Sequence, residues 1–427
     1  MRTLRLSDIS ERERRRIISR TDISLTAAIR VARRIIDDVR VRGDVALLRY
    51  ARELDGYTGG ELTLSRGSIR KALRDVPSEL SEALAVSAER IRAFHSRQVL
   101  KGFEFSDECG RYGQKVVPLE RVGVYVPGGT AAYMSSVLMA CIPARIAGVD
   151  EITICTPGRA GAVPAGVIAA ASMCGVDEIH PIGGAHAIAA MAYGTKSIRR
   201  VLKIVGPGGA VVTAAKMLVR NDCEIDSLAG PSEVLVIADS SARADLVAAD
   251  MLAQLEHDPL ATAILVSTSE AVIEATKRTL REMAMRAVRS HIAQSSASKN
   301  ALFILANSIN EAVDFANEYA PEHLLVDVKT PRGLLSKIRS AGSVFLGSHS
   351  SVAFGDYCAG TNHILPTRGT ARMRSGLTVY DFLKVIPYQQ IGSRGAAKLS
   401  STVGIIARAE GLPAHADAAT MRSRRCP

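Results

Sequence analysis

Four short stretches gather the residue types that do acid–base and metal chemistry. DMLAQLEHDP (250–259) places Gln254 and His257 three apart, on one face of a helix. PEHLL (321–325) sets Glu322 beside His323, GDYCAGTNH (355–363) carries Asp356 and His363, and AEGLPAH (409–415) carries Glu410 and His415. Taken singly, each has an ordinary role. His257 can cap a helix that ends near Asp258-Pro259, and Asp356 can hold a glycine-rich loop by an Asx turn. Taken together, these histidines sit at element ends or in loops beside acids, Asn or Gly. Four such nitrogen and oxygen donors, if they converge, suit Zn²⁺, with Mn²⁺ and Fe²⁺ as alternatives.

A second kind of chemistry is open to three glycine turns, VPGGT (126–130), IGGAH (182–186) and VGPGGA (205–210). Amides exposed at a helix N-terminus bind phosphate, and glycine lets the ligand approach. None of the three matches GxGxxG, and each alone is explained by a tight strand-to-helix connection. Their recurrence at successive strand ends makes the joint case for a ligand at the carboxyl edge of a parallel sheet.

The elements that must hold these groups follow from periodicity. Residues 1–20 read as a short basic segment, and helical patterns run from Leu25 to about Phe103. Short β-branched runs follow at 122–126, 151–155, 178–182 and 201–205, then at 234–238, 262–267, 301–305, 323–328 and 343–346, with helical stretches between them. Strand, helix, strand at this spacing predicts parallel sheets. The fold class is therefore α/β, with two Rossmann-like parallel-sheet domains and small helical segments at both ends. Expected boundaries are an N-terminal arm at 1–20, one α/β domain from 21–121 plus 234–375, a second at 122–233, and a helical C-terminal arm at 376–427.

Composition narrows the function classes. The chain has 427 residues and a formal net charge of +11, no Trp and 4% aromatics, so its core is aliphatic. The excess charge sits at the two ends: residues 1–20 hold seven Arg against three acids, and residues 366–427 hold ten Lys/Arg against three acids. Basic ends on a neutral body, without aromatic interleaving or finger spacing, argue against a nucleic-acid binder. Seven Cys without a CxxC fit reduced thiols, and no N-terminal apolar stretch resembles a signal peptide. The uncharged run 122–144 is broken by Pro127-Gly128-Gly129 and Pro143, so strand, turn and buried helix is expected rather than a membrane span. A cytoplasmic enzyme with a small-molecule substrate is the expectation.

The stretch IDSLAGPSEVLVIADSSARADLVAADMLAQLEH (225–257) resembles the signature region of histidinol dehydrogenases. NEYAPEHL (317–324), SAGSVFLG (340–347), GDYCAGTNHILPT (355–367), VGVYVPGG (122–129) and AEGLPAH (409–415) match that family in order and spacing, over nearly the whole chain. The resemblance implies zinc-dependent oxidation of L-histidinol to L-histidine through L-histidinaldehyde, with two NAD⁺ reduced, in a homodimer that exchanges terminal arms. It implies that Gln254, His257 and Asp356 hold one Zn²⁺ per subunit, with His415 of the partner subunit completing the set. Ser232, His323, His363 and Glu410 would contact substrate together with the metal ligands, and Tyr125 would lie against NAD⁺.

The residue types suit that chemistry. An imidazole such as His323 can take a hydroxyl proton, and Glu322 beside it can activate the water that hydrates the aldehyde. Zinc suits an amine and an imidazole nitrogen of the substrate, and with a neutral Gln among its ligands it should be loosely held. Two positions depart from the family pattern: His186 stands where the family usually has Gln, and Gly209 where it usually has Asn. Both put cofactor affinity in question, although no clustered Arg near the turns invites NADP⁺. The alternative substrate is another polar alcohol such as a sulfopropanediol, whose sulfonate would call for a basic group that Ser232, His363 and Glu410 do not provide.

Overall fold

The computed structural model describes residues 1–20, 25–128, 132–158, 162–176 and 178–423. Part of the first glycine turn (Gly129, Thr130) and Cys426 lie outside the described residues. The chain falls into two compact units, one of Met1–Gln98 with Glu120–Asp381, the other of Val99–Leu119 with Phe382–Pro427.

The first unit is built on two parallel sheets. The six-stranded sheet runs in the order Arg2–Arg5, Ala301–Leu305, Thr262–Ser267, Glu233–Ala238, His323–Asp327, Ser343–Leu346. Its central strands are sealed on both faces: Val234, Leu235, Val236 and Ile237 are fully buried, as a sheet covered by helices requires. The five-stranded sheet runs Glu178–His180, Glu151–Cys155, Arg121–Tyr125, Lys203–Val205, Glu224–Ile225. In the five-stranded sheet the chain starts centrally and builds outward on either side; in the six-stranded sheet it does the same from Glu233–Ala238 onward, while Arg2–Arg5 closes one edge, the doubly wound α/β pattern expected from the sequence.

Helices Thr26–Arg42 and Asp44–Asp55 pack on the five-stranded side, where Ile35, Ile36, Val39 and Leu47 share a core with Ile188, Met191 and Val219. The sequence-based boundary grouped residues 21–121 with the other sheet. The apolar faces of Thr26–Arg42 and Asp44–Asp55 complement the helices Gly184–Tyr193 and Ala210–Val219, a tertiary match that periodicity does not reveal. The uncharged run 122–144 resolves into a buried strand end and the helix Met134–Ala147. No helix of the described residues is long and apolar enough to cross a membrane.

Both ends hold more strand than their patterns suggest. Arg2–Arg5 is an edge strand, with Leu4 paired to Ile304. In the second unit, Leu383–Ile391 pairs antiparallel with Gly110–Pro118, which also pairs with Phe103–Ser106, and a helical hairpin Ser393–Ala409, Pro413–Ser423 follows. These strands are largely exposed, so their sequences lack the buried-strand signature.

Candidate active site

The acid–base residues meet at the amino edge of the six-stranded sheet. His323 begins its strand directly after Glu322, and Ser232 precedes the neighbouring strand Glu233–Ala238. Helix Ala244–Leu255 runs back against the strands and delivers Gln254 to that same edge. The sequence argument placed ligands at a carboxyl edge. That edge of the five-stranded sheet carries the glycine turns, whereas the acid–base cluster is assembled from strand starts and a helix end.

His323, 4% exposed, is the hub. Its Nδ1 lies 2.8 Å from the Gln254 side-chain amide, 3.1 Å from the Glu233 carbonyl oxygen and 3.6 Å from Glu322 Oε2. Its Nε2 faces Asp356 Oδ1 at 3.4 Å. Burial alone pushes this imidazole down, but the charges of Glu322 and Asp356 outweigh it and push it up to about 10. Asp356 is held below the usual carboxylate range: burial opposes this, and His323, His363 and His257 overcome it. Glu322 Oε2 accepts the backbone N–H of Glu233 at 2.8 Å, which aims its carboxylate.

Asp356 and His363 are placed by neighbours on other elements. Asp250, one helical turn before Gln254, accepts from Ser351 Oγ at 2.5 Å and from Val352 N at 3.3 Å, anchoring the short helix Val352–Tyr357 that bears Asp356. Asn362 donates to the Met139 carbonyl at 2.7 Å. His363 Nδ1 donates to the Asp356 carbonyl at 2.8 Å, and its Nε2 meets Ser136 Oγ at 3.1 Å. Burial pushes the His363 imidazole down, so it is the neutral partner of the cluster. Ser136 sits in the first turn of Met134–Ala147, the helix that follows the first glycine turn. This contact joins the turn-bearing edge of one sheet to the acid–base edge of the other.

His257 is exposed just beyond the helix end, and its backbone N–H donates to the Gln254 carbonyl at 3.1 Å. Glu410 and His415 lie in the second unit, both exposed, at the end of one helix of the hairpin and in the first turn of the next. Among the described residues, no group of three or more His, Cys, Asp and Glu side chains is arranged to hold a metal by itself.

Tyr125 is buried beneath the glycine turns, its hydroxyl accepting the Gly184 N–H at 3.2 Å, and burial pushes its phenol up to about 12. His186 faces the core, not the crevice. Its Nε2 meets Asp55 Oδ2 at 2.9 Å, and that same oxygen accepts the Gly183 N–H at 2.7 Å. The pair therefore ties the second turn to helix Asp44–Asp55. The third turn is tied by buried Lys216, which donates to the Gly206 carbonyl at 2.9 Å and pairs with Asp226. Gly206 adopts φ +117°, and a Cβ there would strike the Tyr125 carbonyl oxygen at 2.1 Å, so only glycine fits. Gly209 opens onto free space.

Sequence reasoning missed Glu233, Asp250, Ser136 and Asp55. A charged residue at the head of the apolar run EVLVIA was the one local sign of Glu233; the partners of the others are remote in sequence.

Comparison with known proteins shows the family. A sequence model described as histidinol dehydrogenase matches residues 18–423. The chain is 45% identical to histidinol dehydrogenase of Methanosarcina mazei over 98% of this chain and 97% of that one. It is 46% identical to that of Natronomonas pharaonis, over 98% of both. The crystal structure of histidinol dehydrogenase from Elizabethkingia anophelis superposes with a TM-score of 0.94 at 36% identity, covering 99% of this chain and 98% of the other. An acid–base cluster on this doubly wound frame, with likeness along its full length, places the chain in the histidinol dehydrogenase family of oxidoreductases.

Proposed function

We propose that the protein oxidises L-histidinol to L-histidine through L-histidinaldehyde, reducing two NAD⁺, as a cytoplasmic enzyme of histidine biosynthesis. The observation that carries this reading is the set of buried Glu322, His323 and Gln254 with half-buried Asp356 and His363, joined by direct contacts at one sheet edge.

The donors fit a zinc ion. Gln254, His257 and Asp356 offer an amide oxygen, an imidazole and a carboxylate, the mixed set that a borderline-soft ion accepts. His323 is pressed by two carboxylates, so the pocket carries negative charge that a cation would share. His415 of the partner subunit would complete the set, since the described residues of a single copy do not supply a full His, Cys and acid site. Exchange of the C-terminal arm is supported by apolar side chains exposed on the second unit, including Phe103, Phe105, Ile386, Ile405 and Ile406. When bound, zinc supplies a grip on the amine and imidazole nitrogens of histidinol, and the nicotinamide supplies the hydride acceptor.

The chain's own residues do the proton work. His323 Nε2 takes the hydroxyl proton as the first hydride leaves; a cation held by Asp356 would offset the carboxylate charge that faces this nitrogen. Glu322 takes a proton from the water that adds to the aldehyde while His323 returns its proton to the aldehyde oxygen, so His323 is free to take a hydroxyl proton again as the hydrate loses its second hydride. Ser232 and His363, with Glu410 of the partner subunit, orient the substrate. Tyr125 shapes the floor under the turns that would receive the dinucleotide. An NADH-release assay on histidinol tests the reading. Two NADH per histidinol, lost on metal removal and restored by zinc, support it; turnover of a sulfopropanediol and not histidinol overturns it.

A further inference from the structure

Glu233 holds both members of the proposed catalytic pair through its backbone. Its N–H donates to Glu322 Oε2 at 2.8 Å, and its carbonyl lies 3.1 Å from His323 Nδ1. Its side chain, 4% exposed, is gripped by a guanidinium that is itself 9% exposed. Arg20 Nε and Nη2 donate to the two carboxylate oxygens at 2.7 and 2.8 Å, and the Arg368 N–H reaches Oε1 at 3.1 Å. Arg20 also donates to the Ile18 carbonyl at 2.9 Å and the Ala320 carbonyl at 3.3 Å, and stacks 3.8 Å from the centre of the Tyr319 ring.

Three remote segments are thus knotted together: the end of the first helix, the residue before Pro321-Glu322-His323, and the loop after His363. Among the described residues, the non-glycine positions with positive φ are Arg20 at 60°, Ala320 at 51° and Arg368 at 55°. All three belong to this knot. Gly369, at φ +74°, lies so close that a Cβ there would sit 2.9 Å from Arg20 Nη1. Backbone strain persists where surrounding contacts over-determine it, and it collects at functional sites. A buried ion pair is weak support for stability in itself, since apolar residues of similar shape hold a fold as well. Its placement, one peptide away from two catalytic side chains, points instead to geometry.

We propose that Arg20 and Glu233 are positioning residues, a brace that sets the orientation of Glu322 and His323. The proposal rests on the assignment of those two as the catalytic pair. Without Arg20, the Glu233 carboxylate is left buried beside Glu322 and must move, and its N–H and carbonyl turn with it.

The test uses full-length enzyme carrying Arg20→Met, Arg20→Lys, Glu233→Gln and the double variant R20M/E233Q, with histidinol kinetics, zinc content and melting temperature measured together. Arg20→Met should lower kcat by about 10- to 100-fold, with KM for histidinol and NAD⁺ within about threefold of wild type. Arg20→Lys keeps the charge but loses the fork and should retain more activity than Arg20→Met. The double variant should lose no more than Arg20→Met, because the two act as one unit. A kcat within about twofold of wild type in Arg20→Met, or a double variant whose losses multiply, overturns the brace. If Arg20→Met does not fold, Arg20→Lys decides: an unchanged kcat overturns the proposal and a lowered kcat at constant KM supports it. Full activity of His323→Asn, in contrast, would overturn the catalytic assignment itself.

Discussion

Glu322→Gln removes a charge while leaving the local structure almost untouched, so it separates chemistry from folding. Glu322 is 8% exposed, accepts the Glu233 N–H at 2.8 Å and lies 3.6 Å from His323 Nδ1. A glutamine oxygen can accept the same N–H. The nearby Glu233 carboxyl is pushed up by burial first and by the Glu322 charge as well, so losing that charge relieves a repulsion. The lost attraction to His323 offsets that relief, so stability should change by no more than about 1 kcal/mol. On the proposed mechanism, what disappears is the base for aldehyde hydration, a contribution of about 10²- to 10⁴-fold, or about 3–5 kcal/mol in the barrier. His323 still serves the first oxidation, so the loss should fall on the second. With limiting histidinol and a hydrazine trap, the variant should release close to one NADH per histidinol and accumulate trapped aldehyde, where wild type releases two. A variant that slows both oxidations equally, or keeps the second within about tenfold of wild type, refutes the division of labour.

Four other outcomes are expected. His186→Leu strands the Asp55 carboxylate, 9% exposed, with the Gly183 N–H, and should cost about 2–4 kcal/mol in urea melts while raising KM for NAD⁺; an unchanged KM would show that the turn does not depend on this pair. Initial rates should favour NAD⁺ over NADP⁺, and a clear NADP⁺ preference would contradict the cofactor reading. With Gln254 neutral and Asp356 the one charged group of the proposed ligand set, prolonged strong chelation should abolish activity and added zinc restore it; activity that survives chelation would refute the metal assignment. Glu178 is held down at about 2 from a usual 4.5, because hydrogen bonds from His180 and Arg121 outweigh burial. A lowered carboxylate stabilises the fold above its unfolded pKa, so up to about 3 kcal/mol should be lost as pH falls from about 4.5 to about 2. Melts of Glu178→Gln with the same acid dependence as wild type would disprove this.

Much of the site is visible in its local signals. PEH, GDYCAGTNH and the helical pair Gln254 and His257 stand out because reactive side chains cluster there against an aliphatic background. The strands of both parallel sheets are readable for a related reason: EVLVIA and TAILVS are buried on both faces, and only unbroken β-branched runs satisfy that. Exposed strands such as Arg2–Arg5 and Leu383–Ile391 carry no such mark, since their pairing partners and not their composition decide them.

The sequence by itself therefore determined the fold class and the family resemblance, and it singled out most of the residues proposed for acid–base work, because burial and chemistry each restrict residue type locally. Only the tertiary structure decided how they are aimed. Arg20 meets Glu233, Ser136 meets His363 and Asp55 meets His186 through contacts that join elements far apart in the chain. Nothing in the neighbourhood of either partner encodes such a pairing. A buried charge must find its complement somewhere in the fold, and chain topology alone chooses where.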